Sequence, residues 1–187
     1  MTVSTSEFRK GLKIELEGEP FVIVDFQHVK PGKGGAFVRT KLKSLITGNV
    51  LDRTFRSGEA VKTPDLEEKE VQYLYNDGEH FVFMDNNSYE QLYLTPEQLG
   101  DSKDFLVENI NVKILLHNQK PIGVELPFFI EAEVVQTEPG VRGDTASGGS
   151  KPATISSGAV VSVPLFINEG DIIKVDTRTG EYIERIK

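Results

Sequence analysis

The chain has 187 residues, 27% charged and 38% hydrophobic, with a formal net charge of −8 at pH 7. That composition excludes an intrinsically disordered chain, and no apolar run approaches the ~20 residues of a membrane-spanning helix. There is no cysteine, hence no disulfide framework and no thiolate chemistry. The charge is unevenly spread. Residues 1–64 hold 11 Lys+Arg against 7 Asp+Glu, residues 65–128 hold 4 against 13, and residues 129–187 hold 6 against 9. Phosphate attraction is local, so the first third is where an RNA contact is expected. The acidic middle is expected to face away from phosphate or to meet basic protein. The segment Met1–Glu7 lacks the basic and apolar regions of a secretory signal, so a cytoplasmic protein is expected.

Residues 3–64 read mostly as strands. Apolar and polar residues alternate in Lys13–Leu16, and Gly18-Glu19 turns the chain into a strand beginning at Phe21. Phe21–Val29 and Ala36–Leu42 then form a hairpin around Lys30-Pro31-Gly32-Lys33-Gly34-Gly35. The return strand places Phe37, Arg39 and Lys41 on one face and Val38, Thr40 and Leu42 on the other. Gly48-Asn49 turns into a strand over Val50–Phe55, and Thr63-Pro64-Asp65 marks a boundary.

From residue 65 the pattern starts again. Val71–Tyr75 and His80–Met84 flank the hairpin signal Asn76-Asp77-Gly78, and Tyr89–Leu94 is a further strand. Thr95 reads as a helix N-cap, with Pro96 at the first helical position, Gln98 closing a capping box and Gly100 ending the helix. Val112–Leu116 and Ile122–Leu126 bracket a turn at Asn118-Gln119-Lys120-Pro121. Strands, one short helix and more strands is the pattern of an OB-type barrel. In the last third, strands are predicted at Phe129–Val135, Ala159–Val163, Ile172–Val175 and Tyr182–Ile186. A polar loop is predicted from Glu138 to Thr154, with turns at Glu169-Gly170 and Thr179-Gly180. The fold class is all-β, with three small β-barrel domains over residues 1–64, 65–127 and 128–187 in an elongated arrangement.

Most catalytic chemistries find no support. A phosphate-binding loop needs a glycine five residues before the Gly-Lys pair and a hydroxyl after it, where this chain has Gln27 and Gly34. His28, His80 and His117 lack ligand-like spacing, so no metal site is expected. A lysine acting as nucleophile or Schiff base needs burial or a cationic neighbour, and an open glycine-rich tip supplies neither. Three glycines around one lysine point instead to close approach by a partner or a modifying enzyme. The stretch Gly143–Lys151 offers backbone N–H groups, hydroxyls and the Asp144 carboxylate, which suit contact with sugars and base edges, although on these residues alone a flexible surface loop is the favoured reading.

The tip sequence Lys30–Phe37 resembles the lysine-type tip loop of the bacterial elongation factor P family. Lys151-Pro152-Ala153-Thr154, followed by Gly158, Val161-Ser162-Val163-Pro164, Ile167 and Gly170, is similar to that family's C-terminal signature. Asp176–Tyr182 is similar to its ending, and the likeness spans the whole chain.

The resemblance implies an L-shaped factor made of a KOW/SH3-like barrel followed by two OB-folds. It implies binding to the ribosome between the P and E sites, and relief of stalling at consecutive prolines. Lys33 would reach the acceptor end of the P-site tRNA, flanked by the tip residues Pro31, Gly32, Gly34 and Gly35. Lys30, Arg39 and Lys41 are the candidate tRNA or rRNA contacts. Gly143, Asp144 and Thr145 would meet mRNA in the E site, and Tyr182 and Arg185 match positions linked to activity. The implied partners are the ribosome, tRNA, rRNA, mRNA and a lysine-modifying enzyme that adds a covalent extension to Lys33. A monomer with no cofactor, no membrane association and no enzymatic activity is expected. The alternatives are a specialised paralogue of that family and a general single-stranded RNA-binding OB protein, which needs an aromatic platform in a basic groove.

Overall fold

The computed structural model describes residues 1–140 and 149–187, which form three antiparallel sheets. The first holds β1 (Thr2–Ser4), β2 (Lys13–Leu16), β3 (Glu19–Val29), β4 (Phe37–Ser44), β5 (Val50–Arg56) and β6 (Ala60–Lys62), in the order β1-β6-β2-β3-β4-β5. The alternation expected in the return strand is realised. In β4, Val38, Thr40 and Leu42 are buried and Arg39 and Lys41 are exposed. Burying Ile14, Ile23 and Leu42 fully contributes roughly 1.5–3 kcal/mol for each side chain. A bulge between Ile23 and Asp25 shifts the phase of β3, so Phe26 follows Phe21 and Ile23 toward the core while Asp25 turns outward. A short 3-10 turn at Thr5–Glu7, closed by a Ser4–Glu7 capping box, leads from β1 toward β2.

The second sheet holds β7 (Leu66–Asn76), β8 (Phe81–Asp85), β9 (Gln91–Leu94), β10 (Asn111–His117) and β11 (Lys120–Glu125), in the order β11-β10-β7-β8-β9. The Asn-Asp-Gly signal does make a hairpin, but its loop extends to His80 because Asp77 Oδ1 accepts the N–H groups of Glu79 and His80 at 2.9 and 2.6 Å. Those donors also hold the Asp77 carboxyl below the usual carboxylate range. The helix α1 (Pro96–Leu99) carries the expected capping box. Gln98 Oε1 accepts from Thr95 N at 2.9 Å, and Thr95 Oγ1 accepts from Gln98 N at 3.3 Å. Gly100, at φ +57°, ends it and a 3-10 turn over Gly100–Phe105 follows. The next turn is tighter than the expected Asn118–Pro121. Asn118 and Gln119 both take positive φ, as a two-residue hairpin turn requires, and Lys120 and Pro121 join β11. Proline is accepted there because β11 is a sheet edge.

The third sheet holds β12 (Phe129–Thr137), β13 (Ser150–Ile155), β14 (Val160–Pro164), β15 (Ile172–Asp176) and β16 (Glu181–Arg185), in the order β14-β13-β12-β15-β16. In both five-stranded sheets the first strand lies between the second and the fourth. One expectation fails: the loop predicted through Thr154 stops earlier, since Ser150–Ile155 is a strand. Its inward residues are Lys151, Ala153 and Ile155, and the buried lysine disguises the alternation. The Lys151 ammonium is satisfied internally by donating to the Glu138 carbonyl.

The chain packs as two compact units, Met1–Glu67 with Leu115–Gly123, and Glu68–Ile114 with Val124–Lys187. In the first unit His117 is buried, with Nε2 3.3 Å from Glu15 Oε1, and Asn118 N donates to the Asp65 carbonyl at 3.1 Å.

Candidate functional site

The long pair of β3 and β4 remains in register out to Val29 opposite Phe37, and the loop Lys30–Ala36 closes it. Every residue from Lys30 to Gly35 is exposed. The one backbone hydrogen bond that anchors the loop among the described residues is at its edge, from Ser57 N to the Ala36 carbonyl at 3.0 Å. Lys33 has no hydrogen bond or ion pair among the described residues. Gly34 sits at φ +100°, where a side chain would be strained. Gly32 and Gly35 take no such conformation, and a Cβ at either would meet nothing within 4 Å. The chain's own geometry therefore requires one of the three glycines, and the other two leave the space around Lys33 empty.

Below the tip, the outward face of the sheet carries the other predicted cations. Arg39 lies between Gln27 and Thr54 in register, with its guanidinium 5.4 Å from the centre of the Phe37 ring. Lys41 lies between Asp25 and Asp52, so its charge is offset across both neighbouring strands. A shallow depression of about 440 Å³ on this face is lined by Asp25, Gln27, Arg39, Lys41, Asp52 and Arg53. Arg56 stands opposite Phe37 at the tip end of β5. It was missed because the predicted strand stopped at Phe55, one residue short.

In the second unit, Tyr182 is half-buried against the core of the third sheet, opposite Val175. Arg185 is exposed, with Nη1 3.8 Å from Asp171 Oδ2 and its guanidinium 5.2 Å from the centre of the Phe166 ring. The nearby loop after β15 is rigidly made. Arg178 donates to Asp176 through Nε at 3.1 Å, Nη2 at 2.8 Å and its backbone N–H at 2.9 Å. These contacts hold the Asp176 carboxyl below its usual range. The predicted mRNA contacts Gly143, Asp144 and Thr145 lie outside the described residues. Among the described residues no cluster of three or more His, Asp or Glu is arranged to hold a metal ion. No helix among them is long and apolar enough to cross a membrane.

Comparison with known proteins accounts for nearly the whole chain. Residues 4–61 match the elongation factor P (EF-P) KOW-like domain, residues 66–124 the elongation factor P OB domain, and residues 124–185 the elongation factor P C-terminal domain. The chain belongs to the elongation factor P family. It is 58% identical over 185 residues to elongation factor P of Natranaerobius thermophilus, covering 99% of this chain and 98% of that protein. It is 55% identical over 184 residues to elongation factor P of Pelotomaculum thermopropionicum, covering 98% and 100%. A solved structure described as eukaryotic translation initiation factor 5A from Methanococcus jannaschii superposes with a TM-score of 0.53 at 23% identity. That match covers 65% of this chain and 90% of the other, and it shows a shared fold. Family membership makes the chain a translation elongation factor that binds the ribosome and is not an enzyme.

Proposed function

We propose that this factor occupies the ribosome between the P and E sites and stimulates peptide-bond formation at consecutive prolines, with Lys33 as the residue that reaches the P-site tRNA acceptor end. The observation that carries this reading is the tip itself. It is a lysine without a hydrogen-bond or ion-pair partner among the described residues, flanked by two glycines that neither backbone angle nor internal crowding requires. Such a tip can enter a crowded RNA pocket. Holding the acceptor end in the attack geometry lowers the entropic cost of a reaction in which proline is a rigid, poor nucleophile. No acid–base step by the factor is needed.

A covalent extension of Lys33 by a modifying enzyme lengthens the reach of the same cation toward phosphate or sugar oxygens. Lys30, Arg39 and Lys41 supply phosphate contacts along the hairpin, and Gly143, Asp144 and Thr145 contact mRNA in the E site. Tyr182 and Arg185 support the C-terminal contact. The three functional parts are residues 1–64, 65–127 and 128–187, and the factor works as a cytoplasmic monomer.

The test is synthesis of a triple-proline reporter in a reconstituted translation system. Wild-type protein is expected to relieve the stall, and Lys33→Ala to lower the rate by about tenfold or more, a loss of roughly 1.4 kcal/mol of transition-state stabilisation. The thermal midpoint of the variant should stay unchanged, since the side chain is exposed and makes no hydrogen bond or ion pair among the described residues. Full rescue by Lys33→Ala would remove the tip from the mechanism.

A further inference from the structure

Within the second unit a groove of about 870 Å³ is walled by β7 and the segment after α1 on one side and by β12, Ile172 of β15 and the Ser156-Ser157 turn after β13 on the other. Its rim carries four carboxylates, Asp104, Glu108, Glu131 and Glu133, and among the described residues one cation, Lys103. None of the four carboxylates makes an ion pair among the described residues. The cross-strand neighbour of Glu131 is Lys174, which is already engaged by Glu184 at 3.4 Å and by the Phe129 ring at 5.2 Å.

The floor supplies an independent indication. Tyr73 is 5% exposed, with its ring packed against Phe81 and Phe83 at centroid distances of 6.0 and 5.4 Å. Its hydroxyl has no hydrogen-bond partner among the described residues. No fully enclosed side-chain polar atom among the described residues lacks a partner, so this hydroxyl is the part of the residue that reaches the groove. Burial, reinforced by the Glu108 charge, pushes the Tyr73 hydroxyl above its ordinary range, which keeps it neutral and able to accept from a donor. Tyr75 adds an aromatic face that is 46% exposed.

We propose that this groove docks a lysine- and arginine-rich peptide segment of a protein partner. Phosphate is repelled by four uncompensated carboxylates, so nucleic acid is the wrong occupant. The volume far exceeds that of one ammonium or guanidinium group and suits several side chains. The aliphatic stems of Lys and Arg lie along the apolar walls at Tyr75, Val107 and Ile172. Their heads meet the carboxylates, the Tyr73 hydroxyl and the Tyr75 ring.

Fluorescence anisotropy of labelled octa-arginine against the full chain tests this. Binding is expected to weaken about tenfold when Glu108, Glu131 and Glu133 are all changed to Gln. Tyr73→Phe, which removes only the hydroxyl, should weaken it about threefold. Lys103→Glu should tighten it. Changing three exposed acids outside the groove, Glu68, Glu90 and Glu97, to Gln should leave the affinity unchanged. The proposal is overturned if the groove triple variant binds like wild type, or if the control triple weakens binding equally. It is also overturned if spermidine displaces the peptide at matched charge concentration, because the groove would then be reading charge alone.

Discussion

The loops Lys30–Ala36 and Thr177–Gly180 both join antiparallel neighbours, yet they are built on opposite terms. The second is satisfied from within its own chain. Asp176 gathers three donors from Arg178, Gly180 N donates to the Asp176 carbonyl at 2.7 Å, and Thr177 Oγ1 donates to the Pro127 carbonyl at 2.6 Å. The Arg178 guanidinium also lies 4.5 Å from the centre of the Phe128 ring. The first loop has almost none of this, although it carries a cation and a backbone of comparable polarity. A loop whose groups are all engaged contributes to the fold. A loop whose groups are left open depends on something outside the chain to hold them, and its residues are free of the fold's demands. The two loops should therefore respond oppositely to substitution.

The largest effect on stability is expected at the satisfied loop. Asp176→Asn removes the ion pair and forces one acceptor to become a donor facing Arg178, so the thermal midpoint should fall clearly. The same contact sets a pH dependence. The Asp176 carboxyl is held below its usual range in the folded chain, so its contribution is present above the ordinary aspartate value of about 3.9 and is lost as the pH falls through the depressed one. Asp77 and Asp85 are shifted in the same direction by backbone donors and add to the acid sensitivity. Thermal unfolding followed from neutral pH to pH 2 should give a shallower acid limb for Asp176→Asn than for wild type. Equal limbs would mean that the carboxylate is not a stabilising group.

A middle-sized effect belongs to Gly34. At φ +100° an alanine pays a steric cost, so Gly34→Ala should lower stability by about 1 kcal/mol even in this unsupported loop. Denaturant unfolding measures it. A shift below a few tenths of a kcal/mol would show that the tip relaxes to another conformation.

Much of this was legible in the chain because local signals and tertiary demands agreed. The alternation in β4 named the buried Val38, Thr40 and Leu42, and Thr95, Pro96 and Gln98 specified a helix of four residues with its capping box. The tip was readable because glycine and proline are punctuation that burial rarely overrides. The failures have a common cause, which is side chains whose environment departs from their type. Lys151 lies inward, so β13 looked like loop, and Pro121 lies on a sheet edge, so the first two residues of β11, Lys120 and Pro121, looked like turn. The bulge after Ile23 and the placement of Arg56 opposite Phe37 depend on pairing between strands, which no single segment encodes. The groove floored by Tyr73 draws its walls from segments as far apart as residues 73 and 172, and periodicity carries no trace of it.

The smallest effect on stability is the sharpest test of the comparison. Gly35 has no positive φ, and a Cβ there meets nothing within 4 Å. Alanine at such a site restricts the unfolded chain more than it disturbs the folded one, so Gly35→Ala should leave stability unchanged or raise it by up to about 1 kcal/mol. If the glycine were there for the fold, no other property would change. If it is there so that the tip can approach a partner closely, the added methyl group should slow triple-proline synthesis while the protein becomes no less stable. Gly32→Ala should behave in the same way. The informative quantity is the pair of measurements on one variant, an unfolding curve and a reporter rate. A loss of rate without a loss of stability places the steric requirement outside the chain. An unchanged rate would leave the glycines around Lys33 as ordinary turn residues and would weaken the case that this loop is shaped by its partner.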